Sequence, residues 1–253
     1  MKKQDAPNKG SYSGKLESQG NDEGRCPLGV GKERAHAPVA SNRHGIVAYF
    51  DFDGTLTSED TLLSFLLHCV GWFRILLNLP RILPNVVLYV LRIITNEKAK
   101  ERILIIALKG RSYTHLDKKA KSFAYNHISK YIKPEIFAKL EYHKEHGHKV
   151  IIVSANLAMY LRYWASIHKI DHVIATEMEF VNDIATGRLA THNCYGEQKV
   201  LRLKQYLAEE NLNFSYSYGY GNSRGDHELL DYVNEGYMVV GEEFNQWKEP
   251  HEG

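Results

Sequence analysis

After Gly45 the apolar positions fall into two kinds of pattern. Short continuous apolar runs at 46–50, 149–153, 172–176, 214–220 and 237–240 predict strands buried on both faces, as in a parallel sheet. Longer segments with a 3.6-residue period predict helices at 157–168 and 198–210. The second places Val200, Leu201, Leu203, Tyr206 and Leu207 on or near one face. Residues 183–187 read as a hairpin turn. Strands alternating with helices predict an α/β fold, a doubly wound, Rossmann-like parallel sheet.

One long insertion interrupts the alternation. The stretch between the first two strands is almost entirely helix-patterned and too long for a single crossover, so it predicts an inserted helical cap domain. The expected division is a disordered leader at 1–45, an α/β core at 46–57 and 146–253, and a cap at 58–145. Within the cap, 23 of the 34 residues from 62 to 95 are apolar, interrupted by Arg74, Arg81 and Arg92 and by no acidic residue. Pro80 and Pro84 are expected to break the helix there, and the arginines argue against a clean membrane span. Two readings remain: a buried helical bundle, or a basic apolar face lying against a membrane surface.

Composition narrows the class. Forty-three per cent hydrophobic residues suffice for a real core, and a net charge of +2 gives no global pull toward nucleic acid. The leader is rich in glycine and proline and lacks the apolar run of a secretory signal. Cys26, Cys69 and Cys194 are too few and too scattered for a disulfide framework and fit a reducing compartment. The expected location is the cytoplasm, at the inner face of a membrane if the cap touches lipid.

Candidate chemistry gathers at the strand ends, where ligands sit in such sheets. Asp51 and Asp53 follow the first strand, and Gly54 lets the chain turn away. Two carboxylates this close are costly unless a divalent cation neutralises them. A carboxylate nucleophile, a second acid and a metal suit phosphoryl transfer through an aspartyl-phosphate. The Ser154 hydroxyl and Lys199 would hold phosphoryl oxygens, and Asn222 with Asp226 would complete an oxygen-rich Mg²⁺ site.

The run Asp51-Phe52-Asp53-Gly54-Thr55-Leu56-Thr57 resembles the first motif of the haloacid dehalogenase superfamily of phosphatases. Residues 150–154 resemble its second motif, 196–200 its third and 221–226 its fourth, in family order. The resemblance implies that Asp51 is the nucleophile and Asp53 the general acid/base. It implies phosphate binding by Gly54, Thr55, Ser154, Ala155 and Lys199, and Mg²⁺ binding by Asp51, Asp53, Asn222 and Asp226. Asp60-Thr61, Ser154-Ala155 and the segment 193–197 are similar to the subgroup holding phosphoserine phosphatases and phosphatidylglycerophosphatase-like enzymes.

Two departures stand out. Asn222 replaces the usual first Asp of the fourth motif and brings no charge. Asp60 replaces the Glu that in phosphoserine phosphatases lies nine residues after the nucleophile. The expected activity is Mg²⁺-dependent hydrolysis of a phosphomonoester. The leading substrate is a lipid phosphate such as phosphatidylglycerophosphate, with peripheral membrane contact through the cap. A small phosphate such as phosphoserine is the alternative, and a non-catalytic membrane-surface relative is a third reading.

Other features read blandly. His143, His146 and His148 suggest a solvated helix end rather than a zinc cluster. Cys194 near His192 suggests packing rather than a thiol nucleophile, and Lys118, Lys119 and Lys121 a solvated helix face. The glycines at 219–225 only mimic a dinucleotide loop, because too little chain follows for a βαβ unit.

Overall fold

In the computed structural model, residues 45–247 are described; the leader assigned to 1–45 lies outside them except for Gly45. In chain order the elements are β1 (Gly45–Phe50), α1 (Thr61–Val70), α2 (Trp72–Val90), α3 (Asn96–Leu108), α4 (Tyr113–Asn126), α5 (Pro134–Glu145), β2 (Lys149–Leu157), α6 (Ala158–Ile167), β3 (His172–Thr176), β4 (Met178–Val181), β5 (Ile184–Leu189), α7 (Glu197–Glu209), β6 (Phe214–Gly221), α8 (His227–Tyr232), β7 (Glu235–Val240) and β8 (Glu243–Gln246).

Six strands form one sheet in the order β3-β2-β1-β6-β7-β8. All pairs are parallel except β7 with β8. The continuous apolar runs have the cause inferred from sequence: both sheet faces are covered. Val47 and Tyr49 of β1 enter one core cluster with Ile151, Val153, Leu203 and Leu229, while Ala48 and Phe50 enter the other with Val150, Ile152 and Tyr220. The chain departs from β1 to β2 on one side and pairs with β6 on the other. This makes the carboxyl ends of β1 and β6 a topological switch point, the place where such sheets bind ligands.

The insertion is helical, as expected, and α5 at its end packs on β2. Four details differ from the sequence reading. The helix expected to break at Pro80 and Pro84 runs through both. The side chains of Asn78 and Asn85 bond back to the carbonyls of Arg74 and Arg81 in the neighbouring turns. The hairpin turn is Asn182-Asp183, both at positive φ, and residues 184–187 are already strand. In α7, Leu201 points to solvent and Leu203 is the buried position. β8, with one apolar residue in four, was not predicted: an edge strand buries too little for hydropathy to mark it.

His143 is a fifth correction. It is buried rather than solvated, bonding the Tyr220 hydroxyl at 2.8 Å through Nε2 and His148 Nδ1 at 2.8 Å through Nδ1. Among the described residues no group of three or more His, Cys, Asp or Glu side chains forms a metal site by itself. Burial, reinforced by His148, pushes the His143 imidazole down to about 3 from 6.5. Between those values the unfolded chain binds a proton that the folded chain refuses, so stability falls as pH falls through that window. His143→Gln removes this contribution, and its melting temperature is expected to decline less steeply than wild type across the same interval. Parallel declines would contradict the assignment.

Candidate active site

The tip of β1 is shaped by a single wide turn over Phe52–Leu56, closed by the Thr57 N–H on the Phe52 carbonyl at 3.0 Å. Gly54 sits there at φ +76°, and a Cβ at this position would collide with the Asn222 amide. The turn is therefore tied to glycine both by its dihedral and by the close approach of the β6 loop. Asp51 emerges from it buried, its N–H bonded to the Tyr220 carbonyl at 2.9 Å.

Lys199, in the first turn of α7, is buried between two carboxylates. Its Nζ lies 2.6 Å from Asp51 Oδ1 and 2.5 Å from Asp226 Oδ1, and it also donates to the Val153 carbonyl at 2.8 Å. The third and fourth sequence motifs thus meet the first, as expected. Burial alone would lower the Lys199 ammonium, but Asp226 and Asp51 reverse this and hold it above the ordinary lysine range. Burial would raise Asp226, yet Lys199 brings it below the usual carboxylate value. Asp51 is left in excess: burial and the neighbouring Asp226 push it up to about 6 against the pull of Lys199.

Asp226 was expected as a metal ligand, but its oxygens are already engaged. Oδ2 accepts from the Asn222 N–H, the Ser223 N–H and the Ser223 hydroxyl at 3.1, 2.9 and 2.8 Å, and Oδ1 takes Lys199. Its place here is to hold the lysine and the β6 loop. Thr55 and Gly54 were expected to bind phosphate. Thr55 is fully buried, and its hydroxyl lies 3.3 Å from Asp51 Oδ2 and 3.1 Å from Asn222 Oδ1. The Gly54 carbonyl accepts from Lys133 at 2.5 Å in a separate depression. Ser154 and Ala155 do line the cavity. The Ser154 hydroxyl accepts from the Asn156 N–H at 3.2 Å, which leaves its own proton for a ligand.

Asp53 has a different setting. Its Oδ1 accepts from Thr61 Oγ1 at 2.7 Å and its Oδ2 from Asn156 Nδ2. Burial and then the charge of Asp60 raise its carboxyl well above the ordinary value, against the hydrogen bond from Thr61. Asp53 is thus favoured in its protonated form, while Asp51 keeps a lysine partner. Both carboxyls are raised, but only Asp51 has a lysine partner, a difference that would suit a nucleophile and an acid.

Residues given no catalytic or binding role from sequence complete the site. Asn156, two positions beyond Ser154, orients Asp53, and Thr61 and Tyr160 continue that network at 3.0 Å. Lys100 enters from cap helix α3 and donates to the Ala155 carbonyl at 2.5 Å and to Asn193 Oδ1 at 2.9 Å. Burial lowers it to about 8. Nothing in the local pattern of α3 marks Lys100, because its partners lie 55 and 93 residues away.

The residues present fit a divalent cation. Four carboxylates line the cavity (Asp51, Asp53, Asp60 and Asp226) against two ammonium groups, Lys100 and Lys199. With Asp53 protonated, one negative charge is left uncompensated. Asp51 Oδ2 and Asn222 Oδ1 also share one threonine hydroxyl, whose single proton cannot serve both. Hard oxygen donors short of positive charge are what Mg²⁺ binds.

The same cavity, about 170 Å³, shares Asn96 and Tyr195 with an adjoining vestibule of about 770 Å³. Tyr89, Val90, Ile93 and Ile94 line that vestibule with Arg92 and Arg224.

Comparison with known proteins agrees with this arrangement. Protein CicA of Caulobacter vibrioides is 29% identical over 212 residues, covering 82% of this chain and 89% of CicA. A Bordetella pertussis Tohama I protein of unknown function has a similar structure, with a TM-score of 0.69 at 25% identity over 77% of this chain and 90% of that one. A phosphoserine phosphatase solved as a phospho-aspartyl intermediate analogue shares the fold, with a TM-score of 0.54 at 15% identity over 78% of this chain and 87% of its own. The family model for haloacid dehalogenase-like hydrolases matches residues 48–231, from within β1 to within α8. The strand-end acids, the α7 lysine and the β6 loop all fall inside that match, and the chain belongs to the haloacid dehalogenase-like hydrolases.

Proposed function

We propose that this chain is a Mg²⁺-dependent phosphomonoesterase that works through an aspartyl-phosphate on Asp51. The observation that carries this reading is the contrast between Asp51, paired with Lys199 at 2.6 Å, and Asp53, raised and hydrogen-bonded by Thr61 and Asn156. Asp51 attacks phosphorus, and the leaving alcohol takes its proton from Asp53. Asp53, now ionised, then removes a proton from the water that hydrolyses the acyl phosphate. Lys199 and the Ser154 hydroxyl hold the phosphoryl oxygens as charge shifts among them. The Asp51 carboxylate, the Asp53 main-chain carbonyl and the Asn222 side-chain oxygen would hold Mg²⁺. Its chemistry there is to offset the charge of Asp51 and of the phosphoryl group. The shared fold of a phosphoserine phosphatase solved as a phospho-aspartyl intermediate analogue supports this mechanism.

The test is phosphate release from an aryl phosphate. Chelation with EDTA is expected to abolish turnover and added Mg²⁺ to restore it. Asn222→Asp, which adds a charged ligand, is expected to lower the half-saturating Mg²⁺ concentration about ten-fold. Full turnover in EDTA would overturn the metal assignment.

The substrate class we favour is a phosphate carried on a lipid. Helix α2 supports it: none of its residues is buried, and Trp72, Phe73, Leu77 and Val90 are each more than half exposed. The buried-bundle reading of this helix is therefore set aside. By length and composition α2 is the one helix among the described residues able to cross a membrane. It instead lies along α3, where Asn85 accepts from Arg102 at 3.1 Å and the Tyr89 hydroxyl from Asn96 at 3.1 Å. A helix held flat against its own cap suits a membrane surface rather than a span. On this reading the protein works in the cytoplasm at the inner face of a membrane. Asp60 lines the catalytic cavity and could meet an ammonium group, which keeps phosphoserine as the second reading. Phosphate release from phosphatidylglycerophosphate in mixed micelles, compared with phosphoserine, separates the two.

A further inference from the structure

A second cavity lies away from the catalytic centre, between the amino-terminal half of α2 and the carboxyl ends of α1 and α3. It measures about 570 Å³, within the range of small-ligand sites. Ile75, Leu77 and Ile82 supply apolar wall, and Arg74, Lys109 and Arg111 supply three cations. No carboxylate lines it. Among the described residues none of the three cations enters a salt bridge. Arg111 makes only marginal contacts, at 3.5 Å to the Ala107 carbonyl and 3.5 Å to His115 Nε2. No Asp or Glu occurs anywhere from 61 to 95.

Three cations converging beside apolar wall, with no acid to balance them, are unusual for a cavity of purely structural origin. On α2 itself Trp72, Phe73 and Leu76 are exposed, outside the lining of the cavity. A basic, apolar-walled cavity on a helix with exposed apolar side chains matches an anionic lipid surface, whose phosphates meet the cations and whose acyl chains meet the exposed side chains. Building on the proposed membrane-borne substrate, we propose that this cleft binds the anionic headgroup of a bilayer phospholipid and docks the cap on the membrane.

The placement has a consequence for catalysis. The 19 residues of α2 span about 28 Å at helical rise, with the cleft at one end and the vestibule of the catalytic cavity at the other. A headgroup held in the cleft would lay α2 along the bilayer and bring the mouth of the active site to its surface. The docking lipid and the substrate would then occupy different sites.

The test is co-sedimentation of the full chain with vesicles of phosphatidylcholine alone and of phosphatidylcholine mixed with phosphatidylglycerol. The expected result is binding to the mixed vesicles at least about ten-fold stronger than to the neutral ones, weakening as salt rises. Arg74→Glu/Arg111→Glu is expected to bring binding down to the neutral-vesicle level while aryl phosphate hydrolysis in solution is unchanged. Arg74→Gln/Lys109→Gln, a milder change, should give an intermediate loss with an unaltered melting temperature. Mixed-vesicle binding that is unchanged in both variants would overturn the assignment. So would protection of the chain against heat by inorganic phosphate, dependent on Arg74, in a protein that ignores vesicles; the cleft would then be a site for a soluble anion. Catalysis is read separately. Loss of vesicle binding with normal aryl phosphate turnover defeats the docking site alone, and vesicle binding without any turnover defeats the catalytic reading alone.

Discussion

Asp51→Asn is expected to reduce aryl phosphate turnover on the order of 10⁴-fold or more, the scale seen when a covalent nucleophile is removed. An amide keeps the shape of the carboxylate but cannot attack phosphorus. Folding should survive, because Lys199 retains Asp226 at 2.5 Å and a raised, buried carboxylate is exchanged for a neutral group. The melting temperature of the variant should therefore equal or exceed that of wild type. Steady-state kinetics and a thermal melt on the same preparation check both halves. Turnover within ten-fold of wild type, in a folded protein, would remove Asp51 from the chemistry.

The second large effect belongs to Lys199. Its ammonium is the shared partner of two buried carboxylates, so Lys199→Met strands Asp51 and Asp226 together without a cation. Breaking a buried ion pair from one side costs about 3–5 kcal/mol, more than replacing both partners. The variant should lose stability on that scale at neutral pH and lose turnover as well. The sign of its pH dependence follows. Without the lysine both carboxyls sit above their unfolded values, so the penalty is full when they are ionised and shrinks as pH falls through those raised values. Denaturant unfolding at several pH values should show the gap to wild type narrowing on acidification. Adding Asp226→Leu should restore part of the lost stability but none of the activity. A single variant that unfolds like wild type at neutral pH would contradict the paired arrangement.

Much of this was legible in the chain. The parallel sheet announced itself because strands such as 46–50 and 149–153 are covered on both faces and so lack polar alternation. The acids were legible too: Asp51 and Asp53 end an apolar run abruptly at the carboxyl end of a strand, where such sheets bind ligands. What stayed hidden depends on distance. His143 reads as one of three polar residues near a helix end, and its burial follows from Tyr220, 77 residues on. Lys100 looks like any helix lysine until the cap folds over Ala155. Spacing suggested that Asp226 faces a ligand but did not show that its oxygens are engaged by Lys199, Asn222 and Ser223. Proline propensity misjudged α2, where two asparagine side chains bond back to carbonyls in the neighbouring turns.

The stereochemical course at phosphorus reports on these carboxylates most directly. Hydrolysis of an isotopically chiral phosphorothioate ester in labelled water distinguishes one in-line displacement from two. Capture by Asp51 followed by attack of water inverts phosphorus twice, so net retention is the predicted result. Net inversion would mean that water reaches phosphorus in a single step, and Asp51 would then not be a nucleophile.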